Sequence, residues 1–232
     1  HIHTVEAGLN NLPSNLNNVE TWANVAQIVE NGAKWYADMG TKGSGGTKVF
    51  SLVGKVNNTG LVEVPMGTTI REIVYDVGGG IKGGKKFKAI HAGGPSGGCF
   101  PKEKLDMAVD CDTLWEDGSM LGGDMVVLDE DACMVDLAKH YLAYLKEESC
   151  GKCSTCREGL RRLYDLVTDI SQGKGTKETL QQIEDVADTV EAASLCALGT
   201  TSTYPLRSTL KYFMNEYEAH INDKKCPSGV CM

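Results

Sequence analysis

The stretch ESCGKCSTCREG, residues 148–159, places three cysteines at three-residue intervals: Cys150, Cys153 and Cys156. Apolar residues recur with the period of an α-helix on both sides of it, so the stretch predicts a connection between two helices. Two more amphipathic segments follow, and four such helices with short connections are typical of a bundle. The predicted inward faces are Met134, Leu137, Tyr141 and Leu145; Leu160, Leu163, Tyr164, Val167 and Ile170; Leu180, Ile183, Val186 and Val190; and Leu206, Leu210, Phe213, Met214, Tyr217 and Ile221.

A fourth cysteine, Cys196, lies in the last predicted connection, ASLCALGTTSTYP. An up-and-down bundle brings alternate connections to the same end, so Cys196 is expected near the triplet. Zinc sites usually take two ligands from each of two short hairpins. Three closely spaced thiolates with a distant fourth are typical of a 4Fe-4S cluster, for which Cys150, Cys153, Cys156 and Cys196 are the candidate ligands. A zinc site or a chance group of reduced thiols is the alternative.

A second group of possible ligands flanks the predicted bundle. Cys133 lies at its start, and His220, Cys226 and Cys231 lie at its end in HINDKKCPSGVCM. Together they would complete a zinc site with three cysteines and one histidine. In the alternative interpretation, His220 is exposed at a helix C-terminus, where its charge suits the helix dipole, and the two thiols have no role.

The residues before the bundle have a different pattern. Short β-branched runs separated by turn residues predict a hairpin from residue 48, and Thr68 and Thr69 are expected to cap a helix over residues 70–77. The segment KFKAIHAGG predicts another strand, which completes a small α+β module. The glycine run at 93–98 matches no phosphate-binding pattern and is interpreted as a structural turn.

Composition limits the classes of function. The 232 residues carry a formal net charge of -8, which argues against a nucleic-acid surface, and no apolar run is long enough to cross a membrane. The uneven spacing of the nine cysteines favours a reducing compartment and metal chemistry over disulfides. The first 47 residues predict one helix, from about 19 to 37, and a glycine-rich linker, GTKGSGGT.

These motifs resemble a known family. ESCGKCSTCREG, SLCALG and YFMNEYEAHI are similar to the C-terminal iron-sulfur domain of the flavin-bearing, NADH-oxidising subunit of respiratory complex I and of its relatives in NAD-linked hydrogenases and formate dehydrogenases. TGLVEVPMGTTIREIVYDVGGGI and HAGGPSGGC are similar to that family's ubiquitin-like β-grasp module, of the soluble-ligand-binding type. The cysteine-containing ending resembles subunits of cytoplasmic electron-bifurcating hydrogenases.

The resemblance implies an α+β protein with four parts. Residues 1–47 would be the tail of an FMN- and NADH-binding domain plus a linker, 48–128 the β-grasp domain, 129–222 a four-helix bundle with a 4Fe-4S cluster, and 223–232 a cysteine-containing tail. FMN and NAD(H) or NADP(H) would bind mainly to a domain upstream of these residues. Within the chain, Asn17, Asn18 and Thr21 carry over as flavin contacts, and Leu198 is expected to pack between cluster and flavin.

The function implied is electron transfer in a multi-subunit, cytoplasmic, NAD(P)-linked oxidoreductase, with single electrons passing between FMN and the cluster. Its partners would be a thioredoxin-like 2Fe-2S subunit and a larger iron-sulfur or hydrogenase subunit, with no nucleic acid and no membrane insertion. No catalytic acid, base or nucleophile is expected. The alternative is a non-catalytic, metal-stapled module that docks partner subunits.

Overall fold

The computed structural model describes residues 2–231. Its N-terminal part contains two helices, α1 (Val19–Asn31) and α2 (Ala33–Ala37). The expectation of a single helix here is wrong, because Gly32 adopts φ +90 and separates the two. Neither helix contains a buried residue. Glu20 attaches α1 to the next domain, since its carboxylate pairs with Lys48 and accepts a hydrogen bond from the backbone N–H of Val49 at 2.7 Å.

A five-stranded mixed sheet follows. Its strands are β1 (Thr47–Gly54), β2 (Gly60–Pro65), β3 (Phe87–Ala92), β4 (Gly98–Pro101) and β5 (Asp124–Asp129). The order across the sheet is β2-β1-β5-β3-β4, in which β1 and β5 are parallel and the other neighbours are antiparallel. The predicted hairpin is β1 and β2, and the predicted strand is β3. The strands β4 and β5 and the short helix α3 (Cys111–Glu116) were not predicted from the sequence.

One face of the sheet is covered by the predicted helix, whose last part, Glu72–Val77, is a wide π-type helix. Thr69 caps it together with Glu72, whose carboxylate accepts from the Thr69 N–H at 2.8 Å and from its hydroxyl at 2.7 Å. Apolar residues of the sheet, this helix and α3 form a single core, which contains Phe50, Leu52, Ile70, Ile73, Val74, Ile90, Phe100, Leu114, Met125 and Val127. This is the β-grasp arrangement that the resemblance implied.

The second half is helical: α4 (Met134–Glu148), α5 (Ser154–Ser171), α6 (Lys177–Ala193), α7 (Ala197–Thr201) and α8 (Tyr204–Glu218), then a π-helical turn, Ala219–Asp223. The four long helices are those that the periodicity predicted. Gly159 allows α5 and α6 to approach closely, since a Cβ there would overlap a methyl group of Val190. Met214, predicted to face inward, is 37% exposed, so that assignment is wrong.

Helix α4 is buried on two sides rather than one. Val135, Ala138, Leu142 and Leu145 face the bundle core. Met134 and Leu137 instead pack with Ala89, Cys99 and Phe213 in a smaller cluster between sheet and bundle. Tyr141 stacks on His91 of β3 with 4.0 Å between ring centroids. The sheet therefore packs directly against α4 and α8.

Polar contacts reinforce this interface. The Tyr212 hydroxyl donates to the carboxylate of Asp117, after α3, and its oxygen lies 2.7 and 2.8 Å from the two carboxylate oxygens; Asp117 also pairs with Lys211 at 3.0 Å. The backbone N–H of Cys99 donates to the Ser208 hydroxyl at 2.9 Å. No helix among residues 2–231 combines the length and apolar character needed to cross a membrane.

Candidate metal centres

The cysteine triplet lies in the connection between α4 and α5. Gly151 adopts φ +75, a conformation that glycine enters without strain, and this reverses the chain after α4. Cys153 is the N-cap residue of α5, and Cys156 lies in its first turn and is buried. The side chain of Arg157 donates to the carbonyl of Gly151 and also pairs with Glu158 at 2.8 Å. Arg157 therefore braces the loop that carries the thiols.

Cys196 is brought to the same end of the bundle, as the up-and-down topology predicts. The hydroxyl of Thr155 donates to the carbonyl of Ala193 at 2.9 Å, which joins the two connections directly. Cys196 is the N-cap residue of α7, and a Cβ on Gly199 of that helix would lie 3.4 Å from the Cβ of Cys156. That separation is ordinary van der Waals contact, so α7 packs directly beside the triplet, and the position needs a glycine because a Cβ there would overlap the side chain of Ser194.

Arg207 of α8 braces the segment that carries Cys196. Its guanidinium binds Glu191 at 2.5 Å, Glu184 at 2.7 Å and Asp188 at 2.5 Å, all on α6. Glu191 also accepts a hydrogen bond from the hydroxyl of Thr203. Since Glu191 and Thr203 flank the Cys196 connection, these contacts hold its two ends together.

The environment of the triplet differs from thiol to thiol. The backbone N–H groups of Leu195 and Cys156 favour the thiolate of Cys153 and lower its pKa. Burial raises the pKa of Cys156, and the neighbouring thiolates of Cys153 and Cys196 raise it further, against a hydrogen bond from Ser149. Bringing four thiolates together is therefore unfavourable without a positive charge, and bound iron supplies one.

The donor set fits a 4Fe-4S cluster. Four thiols converge on one end of the bundle, and backbone N–H groups favour a thiolate among them, which is a recurrent feature of protein-bound clusters. The four are not packed as closely as the ligands of a single ion. Among residues 2–231, the only group of possible ligand atoms that all lie within 4.8 Å of one another is a different one.

That tight group consists of Cys133, His220, Cys226 and Cys231, and we refer to these four residues as the tetrad. Cys231 Sγ lies 3.5 Å from Cys133 Sγ, 3.6 Å from Cys226 Sγ and 3.2 Å from His220 Nε2. Ligand atoms at the corners of a tetrahedron around zinc lie about 3.5 to 3.8 Å apart, given bonds of about 2.3 Å to sulfur and 2.0 Å to nitrogen. The separations in the tetrad are close to these values.

The histidine is prepared for binding through one ring nitrogen. His220 Nδ1 lies 2.6 Å from the carbonyl oxygen of Glu216. Because that contact requires the proton on Nδ1, the lone pair of Nε2 faces the sulfurs. His220 is fully buried, so the alternative of an exposed histidine at a helix end is wrong.

The tail reaches the tetrad through a reversal at Lys224, which has a left-handed backbone conformation with φ +50. The Ser228 hydroxyl then donates to the carbonyl of Ala132 at 2.9 Å. Lys88 of β3 also donates to that carbonyl and forms an ion pair with Glu216 at 2.5 Å. The β-grasp domain is therefore tied to residues on both sides of the tetrad.

Acidity varies within the tetrad. Burial opposes ionisation of Cys226, but the backbone N–H groups of Cys231 and Val230 more than compensate and lower its pKa to about 6. Burial raises the pKa of Cys231 to about 11 and raises that of Cys133 as well. One ready thiolate beside two protonated thiols is a suitable starting point for a metal ion, whose binding releases protons.

The residues expected to contact flavin lie elsewhere. Asn18 is the N-cap residue of α1 and accepts from the Glu20 N–H at 2.9 Å, and the amide of Asn17 donates to Asn15 at 2.8 Å. Asn18 and Thr21 line a cavity between α1 and the sheet. Leu198, on α7, packs against the bundle core. Flavin contact by these four residues stays a prediction.

The glycine run forms the turn between β3 and β4. The N–H of Gly94 donates to a carboxylate oxygen of Asp124 at 2.5 Å, and the N–H of Gly97 donates to the carbonyl of Gly94 at 2.7 Å. A carboxylate already occupies the position that a phosphate would need, which supports the interpretation as a structural turn.

Some contributors were not identified from the sequence. Ser149, Lys88 and Glu216 contact ligand residues or their neighbours only through the fold, and each is an ordinary polar residue in its local sequence. The Thr155 contact with the Cys196 connection was missed for the same reason. Of these residues, only Ser149 lies next to a motif cysteine, so only its role could have been inferred from the sequence.

Two family models match the chain. Residues 49–100 match the SLBB domain, and residues 136–220 match the NADH-ubiquinone oxidoreductase-F iron-sulfur binding region. The second match includes all four candidate cluster cysteines. Three members of the tetrad, Cys133, Cys226 and Cys231, lie outside it.

The chain is 49% identical over 220 residues to the NADP-reducing hydrogenase subunit HndC of Solidesulfovibrio fructosivorans, covering 94% of this chain and 45% of that protein. It is 40% identical over 222 residues to an NADH-quinone oxidoreductase F-type protein of Rhizobium meliloti (strain 1021), covering 95% of this chain and 53% of that protein. The crystal structure of an NAD+-reducing NiFe hydrogenase in the H2-reduced state superposes with a TM-score of 0.85 at 29% identity, covering 95% of this chain and 37% of that one.

The chain spans about half the length of the curated relatives it matches. Both types of assembly that the motifs resemble, complex I and hydrogenase, are represented among these relatives. The chain therefore belongs to the family of NADH-quinone oxidoreductase F-type proteins and related hydrogenase subunits, of which it carries the SLBB domain and the iron-sulfur binding region.

Proposed function

We propose that this chain is the electron-transfer portion of an NAD(P)-linked flavin and iron-sulfur oxidoreductase. The observation that carries the proposal is the convergence of Cys150, Cys153, Cys156 and Cys196 at one end of the bundle. A 4Fe-4S cluster, when bound, accepts and releases one electron at a time. The relatives are a component of an NADP-reducing hydrogenase and components of NADH-quinone oxidoreductases, which makes a nicotinamide cofactor the source or destination of the electrons.

The chain's own residues have three tasks in this function. The four cysteines bind the cluster as thiolates, and the N–H groups of Leu195 and Cys156 help to hold Cys153 in that form. Arg157 and Arg207 brace the two connections that carry the ligands. The bundle core beneath them excludes water from one side of the site. None of these tasks needs a catalytic acid or base, because electrons pass between centres without proton transfer to substrate.

FMN and NAD(H) or NADP(H) would bind chiefly to residues outside these 232. The N-terminal part supports this division, since neither α1 nor α2 buries a residue and Val19 and Val29 are about four-fifths exposed. Such apolar exposure is expected of elements that pack against another domain. Asn17, Asn18, Thr21 and Leu198 are our candidates for contact with FMN.

The assembly would be cytoplasmic and contain several subunits. By analogy with the hydrogenase and quinone oxidoreductase relatives, the partners would be a thioredoxin-like 2Fe-2S subunit and a larger iron-sulfur or hydrogenase subunit. Single electrons would leave this chain for a cluster on one of them. Cys150 and Cys196 are exposed at the bundle end, which suits such a transfer.

We further propose that the tetrad holds zinc. The support is the set of short separations between its ligand atoms, the orientation of His220 and the chemical match of three thiolates and an imidazole to that ion. With no exchangeable fourth position, such a site is structural. It would fix the tail beyond α8 to the start of α4.

Anaerobic reconstitution of the 232-residue chain with iron and sulfide tests the cluster. We expect four irons and four sulfides per chain, a brown colour with broad absorption near 400 nm, and a one-electron EPR signal after dithionite reduction. Cys196→Ala should convert the cluster to a 3Fe form or abolish it, because no other cysteine among the described residues lies at that end of the bundle.

Cys111→Ser is the matched control, because this exposed cysteine lies outside both ligand groups and its loss should change nothing. A full cubane in Cys196→Ala would contradict the ligand assignment. A colourless protein that contains only zinc would favour the alternative, a metal-stapled module that docks partner subunits.

A further inference from the structure

Two serine hydroxyls border the four cluster cysteines. Ser149 ends α4 directly before Cys150, and its Oγ lies 3.3 Å from Cys156 Sγ, within hydrogen-bond distance for sulfur. The N–H of Gly151 approaches the same hydroxyl oxygen at 3.4 Å. Because that N–H uses a lone pair of the oxygen, the hydroxyl hydrogen of Ser149 remains available for the sulfur.

When Cys156 binds iron as a thiolate, it has no proton to donate. The contact then has only one possible direction, from the Ser149 hydroxyl to the sulfur. A sulfur that accepts a hydrogen bond carries negative charge more easily, and hydrogen bonds to sulfur are one of the factors that set the reduction potential of iron-sulfur clusters.

Ser194 belongs to the other ligand-carrying connection, two residues before Cys196. Its hydroxyl is shielded from solvent and has no hydrogen-bond partner among residues 2–231. It is close to the ligands, since a Cβ on Gly199 would lie 2.5 Å from Ser194 Oγ and 3.4 Å from the Cβ of Cys156. A buried hydroxyl without a partner is unfavourable, so one beside a cofactor site suggests a partner in the cofactor.

We propose that Ser149 and Ser194 donate hydrogen bonds to sulfur atoms of the bound cluster and thereby raise its reduction potential. This inference rests on the proposed function, because it requires the cluster to be present. The reduced cluster carries one more negative charge than the oxidised one, so donors directed at its sulfurs stabilise the reduced form more. Both serines are therefore positioning residues that act on the ligands and the cluster and do not react themselves.

The structure offers a matched control. Thr168 Oγ1 is also buried and without a partner among the described residues, but it lies near the far end of α5 from Cys156. Twelve residues of α-helix separate the two, which is about 18 Å. Thr168→Val removes the same kind of hydroxyl at a place where no cluster sulfur can accept from it.

The test is a redox titration of the reconstituted 232-residue chain, followed by EPR, for the unmodified protein, Ser149→Ala, Ser194→Ala and Thr168→Val. We expect each serine variant to make reduction about three- to tenfold less favourable, which is a shift of about 30 to 60 mV to lower potential at about 59 mV per factor of ten. Ser149→Thr, which keeps a hydroxyl, should restore the potential, and Thr168→Val should not change it.

Unchanged potentials in both alanine variants would overturn the inference, and a shift in one alone would restrict it to that serine. If Ser149→Ala fails to hold the cluster, Ser194→Ala decides, because its hydroxyl makes no bond within residues 2–231 that the variant could lose. Failure of the proposed function looks different: the unmodified chain would then assemble no cluster, and there would be no potential to compare.

Discussion

The tetrad provides the most demanding test of the proposed zinc site. Replacing Cys226 and Cys231 together by serine removes two of four ligands while nearly preserving volume, so packing should change little. Cys133 and Cys231 are 98 residues apart in sequence. A cross-link that closes a loop of about 100 residues restricts the unfolded chain by about 4.7 kcal/mol, which is the limit for the part of the ion's effect that comes from cross-linking the chain.

We expect the double variant to lose less free energy of unfolding than this limit. The reason is that Cys226 and Cys231 are close in sequence and can retain zinc in the unfolded chain, which reduces the stabilisation that zinc gives the folded one. A change of about 1 kcal/mol shifts Tm by about 2 to 4 °C in proteins of this size, so we expect a fall of about 5 to 15 °C. The assay is differential scanning calorimetry of zinc-loaded protein, with zinc and iron measured in the same samples. The variant should lose one zinc per chain and keep its absorption near 400 nm.

Cys111→Ser again serves as control and should retain both zinc and Tm. Iron without zinc in the unmodified protein would refute the reasoning, as would an unchanged Tm in the double variant. Loss of iron from the double variant would show that the tetrad and the cluster ligands have been assigned to the wrong centres.

Two further predictions concern the flavin and the interface between domains. The 232 residues alone should neither bind FMN tightly nor oxidise NADH, although dithionite should reduce their cluster; fluorescence titration with FMN and an NADH-to-dye assay test this, and rapid dye reduction would show that these residues hold a complete site. Burial opposes ionisation of Asp117, but hydrogen bonds from Tyr212, Lys211 and Lys104 outweigh it and lower the pKa of Asp117. Stability from this carboxylate is therefore present above its unfolded pKa of about 4 and is lost as the pH falls through the lower folded value. Asp117→Asn should therefore reduce the free energy of unfolding, measured by urea titration, by about 1 to 2 kcal/mol at about pH 7. The difference between the variant and the unmodified protein should shrink progressively below about pH 4. A difference that does not depend on pH would contradict this account of Asp117.

Much of the architecture could be predicted from local patterns. The four long helices follow from apolar residues at helical spacing, because an amphipathic helix must bury one face whatever it packs against. The hairpin and the capped helix after it follow from turn residues and from Thr69. The strands β4 and β5 were missed because they have only four and six residues, so neither pattern is strong enough to stand out.

Some errors came from contacts that periodicity does not describe. Helix α4 shows one apolar face in its sequence, but it is buried on two sides because the sheet covers Met134, Leu137 and Tyr141 while the bundle covers Leu142. The helix expected from 19 to 37 is divided at Gly32, where the backbone enters a region that other residues avoid.

The sequence by itself determined which cysteines are the candidate ligands of the proposed cluster. Ligand type and spacing are local properties, and Cys150, Cys153 and Cys156 lie within a single connection. Only the tertiary structure decided which atoms surround them. Ser194 reaches the ligands because α7 packs against α5 at Gly199, and the tetrad closes because the tail turns back at Lys224 onto Cys133. Such contacts join residues far apart in the chain, and their distances depend on how helices pack rather than on any spacing in the sequence.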